Sequence, residues 1–467
     1  MNNAPGTTGP TMVRSPAALG VLSVAQFLMA LDYSIIYVAL PSLAHDLYLE
    51  PAVAQWVISA YAVLFAGFLM VGGRLADRLG AKRLFIVAII LFGVASVIGG
   101  AAQDGTMLLA ARGVQGFGAA LLQPAILGLI GTTFPAGPSR SRALAVWGAV
   151  GASGLAVGVI LGGLLTTASW RLTFFINVPL TLLCALGAAK WFSQARDRNS
   201  MSRIPVLASV LGTGAMLTLV VGLTVSADQG WGSAPTLISL GLALLLFLGF
   251  ILNENKSQGV LIERVLRRIH SLGIGSAATA LYMASVGSEF YLVTLLLQSA
   301  KDYTPLQAGL AFLPLAVMVT FGNMVAGRVV RTLGTPTALI GGFTIAAIGL
   351  GWLSITLHGD SYIVDLLPGL IISGFGHGVI YTSMFIIGTQ DTPSEHQGTA
   401  GALLTTSQYL SAAITIAILT LVLGASPNND NFRTAFFVTT AAAVAGIVLV
   451  AAQHRRLATS PPAIQTL

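Results

Sequence analysis

Residues 17–40 read AALGVLSVAQFLMALDYSIIYVAL, an apolar stretch that contains one acid and no base. A helix of about 20 residues spans the roughly 30 Å hydrocarbon core of a bilayer, because each residue adds about 1.5 Å. The stretch therefore predicts a helix that crosses a membrane. A polar segment with Arg14 precedes it, which favours a retained first helix over a cleaved signal peptide.

The same pattern recurs along the whole chain. Of its 467 residues, 55% are hydrophobic and only 8% are charged, whereas a soluble domain carries about 25% charged residues. The expected fold class is therefore an all-α integral membrane protein with 14 transmembrane helices. Apolar windows place them near 17–40, 52–73, 83–102, 107–130, 143–167, 172–192, 204–226, 233–252, 270–298, 304–327, 335–357, 363–388, 398–423 and 432–452.

The basic residues fall mainly in alternate connectors. With the N-terminus in the cytoplasm, 19 of the 23 Lys and Arg lie in cytoplasmic segments, three lie outside, and Arg112 lies within a helix. Cytoplasmic loops of membrane proteins are enriched in Lys and Arg, so both termini are predicted to be cytoplasmic. The net charge of +7 thus belongs to connectors and does not indicate nucleic-acid binding.

Segments in the two ends of the chain resemble each other at nearly constant separation. Such repeats are typical of secondary transporters, whose sites lie near the membrane midplane between the repeats. The alternative is convergent glycine-rich packing in unrelated helices. GRLADRLG from Gly73 recurs as GRVVRTLG from Gly327, at an offset of 254 residues. GFG at Gly116 recurs at Gly374, at an offset of 258. WRLTFF from Trp170 recurs as FRTAFF from Phe432, at an offset of 262.

These offsets predict two pseudo-symmetric six-helix bundles, residues 1–198 and 257–467. The two helices between them form an inserted central pair with its linker, residues 199–256.

Three ionisable residues lie deep within predicted spans. Asp32 and Glu289 are 257 residues apart and so occupy equivalent places in the two repeats. An intramembrane acid is a functional candidate, because burying its charge is costly and its protonation can be tuned. Arg112 must be paired or solvated, and it could hold a nearby acid ionised until a proton or substrate competes. We predict that all three bind protons or cations. The alternative is that they only order helix packing.

Polar neighbours of Glu289 predict one side of a substrate cavity. Tyr282 and Ser285 precede it by seven and four residues, which gives one polar stripe on an apolar helix. His377 follows the second GFG and is a further candidate for the lining, although such a histidine often just finds a hydrogen-bond partner.

Aromatic neighbours of Asp32 predict the other side of the cavity. Tyr33 and Tyr37 lie one turn apart, and Gln26 lies two turns before Tyr33. Aromatic faces beside a carboxylate suit a lipophilic cation, through charge pairing and cation–π attraction.

The connector GGRLADRLGAKR between the second and third helices predicts a cytoplasmic gate formed by Gly73, Asp77, Arg78 and Gly80. Asp77 can accept hydrogen bonds from Arg78 or from a neighbouring helix N-terminus, and Gly80 permits a tight turn. The alternative is a loop that only sets topology.

The fifth helix carries glycines at every third or fourth position. The repetition predicts a smooth face for close helix packing, which is either static or able to slide as the halves move. Among these residues are Gly154, Gly158 and Gly162.

Four segments together resemble the Major Facilitator Superfamily, specifically its fourteen-helix branch of drug:proton antiporters. The similarity covers nearly the whole chain. It lies in LDYSIIYVALPSL from Leu31, GGRLADRLGAKR, RGVQGFGAA from Arg112 and SWRLTFFINVP from Ser169. The antiporter motif usually has Gly-Pro where this chain has Gly158-Val159, and the first-helix motif usually has Thr and Asn where Ser34 and Tyr37 stand.

The resemblance implies proton antiport by alternating access in a bacterial inner membrane. Asp32 would contact cations or protons, and Arg112 would aid proton coupling. We therefore expect export of small lipophilic, cationic compounds, driven by the proton gradient without a cofactor or metal, by a monomer in the lipid bilayer. Alternatives are a dedicated exporter of one endogenous metabolite or lipid-like product, and a transport-inactive membrane sensor. The chain shows no nucleotide loop or catalytic triad, so we do not expect an enzyme.

Overall fold

The computed structural model describes residues 16–192, 205–256, 260–357, 361–424 and 428–459. Within these ranges the chain is helical without strands, and fourteen helices are long and apolar enough to cross a membrane, as predicted. They are α1 Pro16–Asp46, α2 Pro51–Leu79, α3 Ala81–Gly100, α4 Gly105–Thr133, α5 Pro138–Ala168, α6 Leu172–Trp191, α7 Val206–Gln229, α8 Ala234–Lys256, α9 His270–Gln298, α10 Leu313–Leu333, α11 Thr335–Thr356, α12 Leu367–Thr389, α13 Gln397–Leu423 and α14 Asn429–Thr459.

Short turns separate many consecutive helices, and a glycine or a capping side chain forms part of several of them. Gly80 between α2 and α3 has φ 88°, and Gly334 between α10 and α11 has φ 83°. Glycine adopts these positive angles without steric cost, so both turns are tight. At the start of α4, the Asp104 side chain accepts a hydrogen bond from Met107 N at 2.8 Å and caps the helix.

Several predicted helices are less regular than their hydropathy indicates. A π-helical segment, Met283–Gly287, interrupts α9, and another, Tyr362–Leu366, precedes α12. A separate short helix, Pro305–Ala311, precedes α10 within the predicted span 304–327. A π turn contains more residues than an α turn and therefore rotates the side chains that follow. Hydropathy windows carry no information about such turns.

The two six-helix bundles repeat the same helix contacts. In the N-terminal bundle α1 packs on α5 and α6, α4 packs on α2 and α3, and α3 packs on α6. The C-terminal bundle reproduces each contact with α9–α14 in place of α1–α6. Gly116 lies against the Tyr61 backbone, and Gly374 lies against the Leu315 backbone at the corresponding offsets. The bundles are pseudo-symmetric.

The inserted pair packs on one flank of the molecule. Helix α7 contacts α8 and α2, where Gly67 accommodates the Leu217 side chain. Helix α8 exposes most of its apolar side chains, as expected for a helix that faces lipid. The domain boundary predicted at 198/199 lies outside the described residues. The boundary predicted at 256/257 lies at the edge of a segment that is also outside the described residues. Both boundaries therefore remain predictions.

The halves meet mainly through α2 with α13 and α5 with α10. We define the basic end as the end where Arg74, Arg140 and Arg331 lie. Near this end Gly73 packs on Gly398 and Ala402, where a Cβ on Gly73 would lie 3.0 Å from Gly398 O. The glycine contacts bring the halves together at the basic end.

Candidate functional site

Asp32 lies within the N-terminal bundle in the middle of α1, and it is 2% exposed. Its Oδ2 accepts a hydrogen bond from Arg112 Nη1 at 2.8 Å. Its Oδ1 accepts from Asn177 Nδ2 at 2.8 Å and from Gln115 Nε2 at 3.2 Å. The acid thus has three donors from α4 and α6, one of them cationic.

A second layer fixes these donors. Arg112 Nε donates to Val57 O at 3.0 Å, Arg112 Nη1 donates to Gln115 Oε1 at 2.9 Å, and the guanidinium lies 4.6 Å from the centre of the Tyr61 ring. Gln115 also donates to Ser96 Oγ at 2.9 Å. Because its charges are paired and hydrogen-bonded, the buried network can exist in an apolar surrounding.

The sequence predicted that Asp32 lies beside a substrate cavity. In the structure its carboxyl group is buried among α1, α4 and α6, because its strongest hydrogen-bond donors, Arg112 and Asn177, belong to its own bundle. Its place beside a cavity stays a prediction.

Glu289 on α9 has a much sparser surrounding. It is fully buried, and its Oε1 accepts a hydrogen bond from Ser373 Oγ of α12 at 2.6 Å. Its Oε2 has no hydrogen-bond partner among the described residues. Like Asp32, Glu289 lies among the helices of its own bundle. A single uncharged donor serves the whole carboxyl group.

Tyr282 of α9 contacts His377 of α12, on the two helices that also carry Glu289 and Ser373. Their side chains are hydrogen-bonded between the Tyr282 hydroxyl and His377 Nε2, and their ring centres are 4.8 Å apart. His377 Nδ1 has no partner within the described part of the chain. Tyr282 also packs on Tyr381, with ring centres 5.7 Å apart.

Ser285 does not join this pair, in contrast to the predicted stripe. It is fully buried, and its Oγ donates to Leu281 O at 2.7 Å and to Tyr282 O at 3.1 Å in its own helix. It lies in the π-helical segment of α9.

Tyr33 and Tyr37 lie on a more open surface of α1. They are 37% and 45% exposed, and the Tyr37 hydroxyl donates to the Tyr33 hydroxyl at 3.2 Å. The two rings meet edge to face, with their centres 5.5 Å apart. Gln26 packs against Gly151, and its Oε1 has no partner in the described residues.

The predicted gate connects the halves at the basic end. Asp77 accepts hydrogen bonds from Gly398 N at 2.8 Å and Thr399 N at 2.9 Å, at the start of α13. A carboxylate at a helix N-terminus is favoured by the unpaired N–H groups and the helix dipole. Arg78 is exposed, so of the two predicted modes the structure shows the one at a helix N-terminus.

The glycine face of α5 lies against α1. A Cβ on Gly154 would lie 2.8 Å from Phe27 O, one on Gly158 would lie 2.8 Å from Leu31 O, and one on Gly162 would lie 3.0 Å from the Val38 Cβ. Larger side chains would therefore push α1 away and disturb the position of Asp32.

Four uncharged polar residues of the two acid sites were not predicted. Each is a single polar letter within an apolar helix, so composition gives no reason to select it. Only two carried a usable signal, because Gln115 follows Arg112 by one turn and Asn177 lies within the SWRLTFFINVP segment. The four are Ser96, Gln115, Asn177 and Ser373.

Two other clefts lie away from both acids. One of about 480 Å³ at the basic end is lined in part by Arg140, Arg331 and Gln390. Another of about 390 Å³ lies beside α5 and α10, near Arg142 and Arg328. Both are lined by arginine, whereas neither contains Asp32 or Glu289.

Residues 22–416 match the family model of the Major Facilitator Superfamily. The chain belongs to this superfamily. It is therefore a multi-pass membrane transporter and not an enzyme.

Among solved structures, the human organic anion transporter MFSD10 aligns with 95% of this chain and with 100% of its own chain. The TM-score is 0.68 and the sequence identity is 15%. The proton:xylose symporter XylE covers 93% and 95% with a TM-score of 0.66 at 14% identity. These two show the fold.

Several curated relatives have names that refer to antibiotic resistance or export. The chain is 34% identical to the puromycin resistance protein pur8 of Streptomyces alboniger, over 86% of this chain and 81% of that protein. It is also 34% identical to the cephamycin export protein CmcT of Amycolatopsis lactamdurans, over 91% and 88%. The tetracenomycin C resistance and export protein of Streptomyces glaucescens is 32% identical, over 91% and 78%.

Proposed function

We propose that this transporter exports small lipophilic compounds across a bacterial inner membrane in exchange for protons, by alternating access. The observation that carries the proposal is the unequal pair of buried acids, Asp32 with a cationic partner and Glu289 without one. The export functions named for the cephamycin and tetracenomycin relatives, and the resistance named for the puromycin relative, support it.

In the proposed cycle the two acids have different protonation states. A carboxylate at Glu289 would have one uncharged donor in an apolar surrounding, so we infer that Glu289 carries a proton in the conformation described. Asp32 forms an ion pair with Arg112 at 2.8 Å. Protonation of Asp32 would release Arg112 and weaken the attachment of α4 to α1.

The finer part of the proposal is a preference for cations. A cationic substrate would compete with Arg112 for Asp32, and Tyr33 lies next to Asp32 in the chain on the open surface of α1. Protons and substrate would then be coupled because both act on one ion pair. The proton gradient would supply the energy without a cofactor.

The basic end is the cytoplasmic end in this proposal, because its connectors hold most of the Lys and Arg residues. Both termini then lie in the cytoplasm, and the conformation described is closed towards it through Asp77 and α13. Opening that contact would admit substrate from the cytoplasm. We propose a monomer as the working unit.

The test is proton movement in vesicles that contain the purified transporter. Addition of a lipophilic cation should change the internal pH of wild-type vesicles, and Asp32→Asn and Glu289→Gln should each abolish the change. Asp430→Asn is the matched control, since Asp430 lies at the exposed start of α14. Unchanged proton movement in both acid variants would remove the coupling proposal.

A dedicated exporter of one compound is the second candidate. The names of the cephamycin and tetracenomycin relatives, each of which refers to a single antibiotic, favour it. Expression in a drug-sensitive host separates the candidates, because a broad exporter raises resistance to several unrelated compounds and a dedicated exporter does not.

A further inference from the structure

Tyrosines are concentrated between the two halves of the transporter. Six of the ten tyrosines in the chain lie there, at the middle depth of five different helices. Ring contacts join Tyr33 to Tyr37 and Tyr282 to Tyr381, and Phe65 lies in ring contact with both Tyr61 and Tyr409. We call this group the tyrosine cluster, and its members are Tyr33, Tyr37, Tyr61, Tyr282, Tyr381 and Tyr409.

Ring contacts join the two halves through this cluster. Phe65 of α2 meets Tyr409 of α13 edge to face, with ring centres 4.8 Å apart. Trp147 of α5 stacks on Tyr381 of α12 at 5.7 Å, with an angle of 21° between the planes. Aromatic pairs in such geometries attract each other beyond the area that they bury.

The side chains of the tyrosine cluster and of Phe65 and Trp147 can contact a ligand through aromatic rings and uncharged polar groups. The charged side chains deepest in the described spans, Asp32, Arg112 and Glu289, are each at most 2% exposed. The Trp147 indole N–H is fully buried and has no acceptor among the described residues. A buried donor without an acceptor is costly and would be satisfied by an acceptor on a bound molecule.

We propose that the substrate carries a planar, fused aromatic ring system with a hydrogen-bond acceptor at its edge. This inference rests on the proposed export function and names its substrate class. The ring system stacks on Tyr409 and Tyr381, and its acceptor receives the Trp147 N–H. The exposed Tyr33 and Tyr37 rings form the adjacent wall.

Stacking between the halves also gives the substrate a role in movement. When the halves separate, the Phe65–Tyr409 and Trp147–Tyr381 contacts are lost. A planar aromatic molecule can take the place of the lost partner on each ring, because stacking tolerates different ring systems. An aliphatic molecule of equal hydrophobicity cannot, so the site selects ring systems independently of charge.

Binding of neutral probes to the full-length transporter in nanodiscs tests the substrate class. Equilibrium dialysis compares anthraquinone, which has carbonyl acceptors, with anthracene, which has none, and with the aliphatic 1-decanol. We expect Tyr409→Leu and Phe65→Leu to weaken anthraquinone binding roughly two- to tenfold. Tyr409→Phe keeps the ring and should change it by less than about twofold.

The Trp147→Phe variant isolates the hydrogen bond. It should weaken anthraquinone binding roughly three- to tenfold and leave anthracene binding within about twofold, because only anthraquinone accepts the indole N–H. Phe437→Leu, which changes an exposed ring on α14, is the matched control and should affect none of the probes. Thermal unfolding of each variant verifies that it is folded.

Two results would overturn the inference: equal binding by Tyr409→Leu and Tyr409→Phe, or decanol binding that responds to the ring variants as anthraquinone does. The outcome is separable from that of the proposed function. Proton exchange with non-planar compounds would sustain export while the substrate class fails. Ring-dependent binding without any proton movement would sustain the substrate class while export fails.

Discussion

Asp32 and Glu289 occupy equivalent positions in the two halves, but their surroundings differ. Asp32 has three donors, including Arg112, whereas the one donor to Glu289 among the described residues is Ser373. At the offset of 258 residues, Leu370 stands in the place of Arg112 and Ser373 in that of Gln115. The C-terminal half thus has the same helix packing as the N-terminal half but no cation at the position equivalent to Arg112.

The aromatic contact of Arg112 and the Asn177 donor to Asp32 follow the same rule. At offset 254, Leu315 corresponds to Tyr61, and at offset 262, Thr439 corresponds to Asn177. Thr439 donates to Phe436 O of its own helix at 2.9 Å, and so the Asn177 contact has no counterpart. One fold therefore builds a charge-paired acid in one half and, in the other, an acid with one uncharged donor, so we expect the two halves to respond differently to a proton.

The largest effect on stability is expected from Arg112→Met. It would leave the Asp32 carboxylate buried without its cation, which costs about 3–5 kcal/mol. Leu370→Met, the equivalent change in the other half, should cost less than about 1.5 kcal/mol. Thermal unfolding in one detergent compares them. Similar losses would mean that Asp32 does not depend on Arg112. Adding Asp32→Asn to Arg112→Met should restore much of the stability.

Removal of one neutral donor should have an intermediate effect. Asn177→Ala deletes a hydrogen bond to a charged group, worth about 1.5–3 kcal/mol. Thr439→Ala is its equivalent in the C-terminal half and should cost less, because Thr439 bonds only within its own helix. The same unfolding assay measures both variants, and a larger loss for Thr439→Ala would contradict the assigned role of Asn177.

Ser373→Ala should have a smaller effect of about 1 kcal/mol, since it removes one hydrogen bond to an uncharged group. Ser354→Ala is a suitable control, because Ser354 is also buried and bonds to the carbonyl of Gly351 in its own helix. A loss above about 3 kcal/mol for Ser373→Ala would indicate that Glu289 carries a charge.

The smallest effect on stability is expected from Glu289→Gln, because a protonated acid and an amide are similar in shape and charge. The change should stay within about 1 kcal/mol. Asp32→Asn should cost about 3–5 kcal/mol, since it leaves Arg112 without its carboxylate. Equal losses for these two isosteric changes would show that both acids are ionised and would end the distinction between the halves.

Much of the site was predictable because its chemistry is rare in a membrane. Asp32, Glu289 and Arg112 stand out as charges in apolar helices, and the prediction that Arg112 holds a nearby acid agrees with its contact with Asp32. The polar residues around them do not stand out, since Ser, Asn and Gln are tolerated in many transmembrane helices. Ser285 was predicted to line the cavity, and in the structure its hydroxyl donates to carbonyls of its own helix.

The sequence by itself determined the number of helices, the repeat and the family, because each depends on hydropathy, spacing or motif letters that lie along the chain. Only the tertiary structure decided which acid is paired with a cation. It also decided that Asp77, a residue of the predicted gate, binds α13 at Gly398, which lies 321 residues along the chain. The tyrosine cluster likewise forms only when five helices meet. Contacts between distant residues depend on helix rotation and depth, and apolar helices can pack in many ways that the linear pattern does not distinguish.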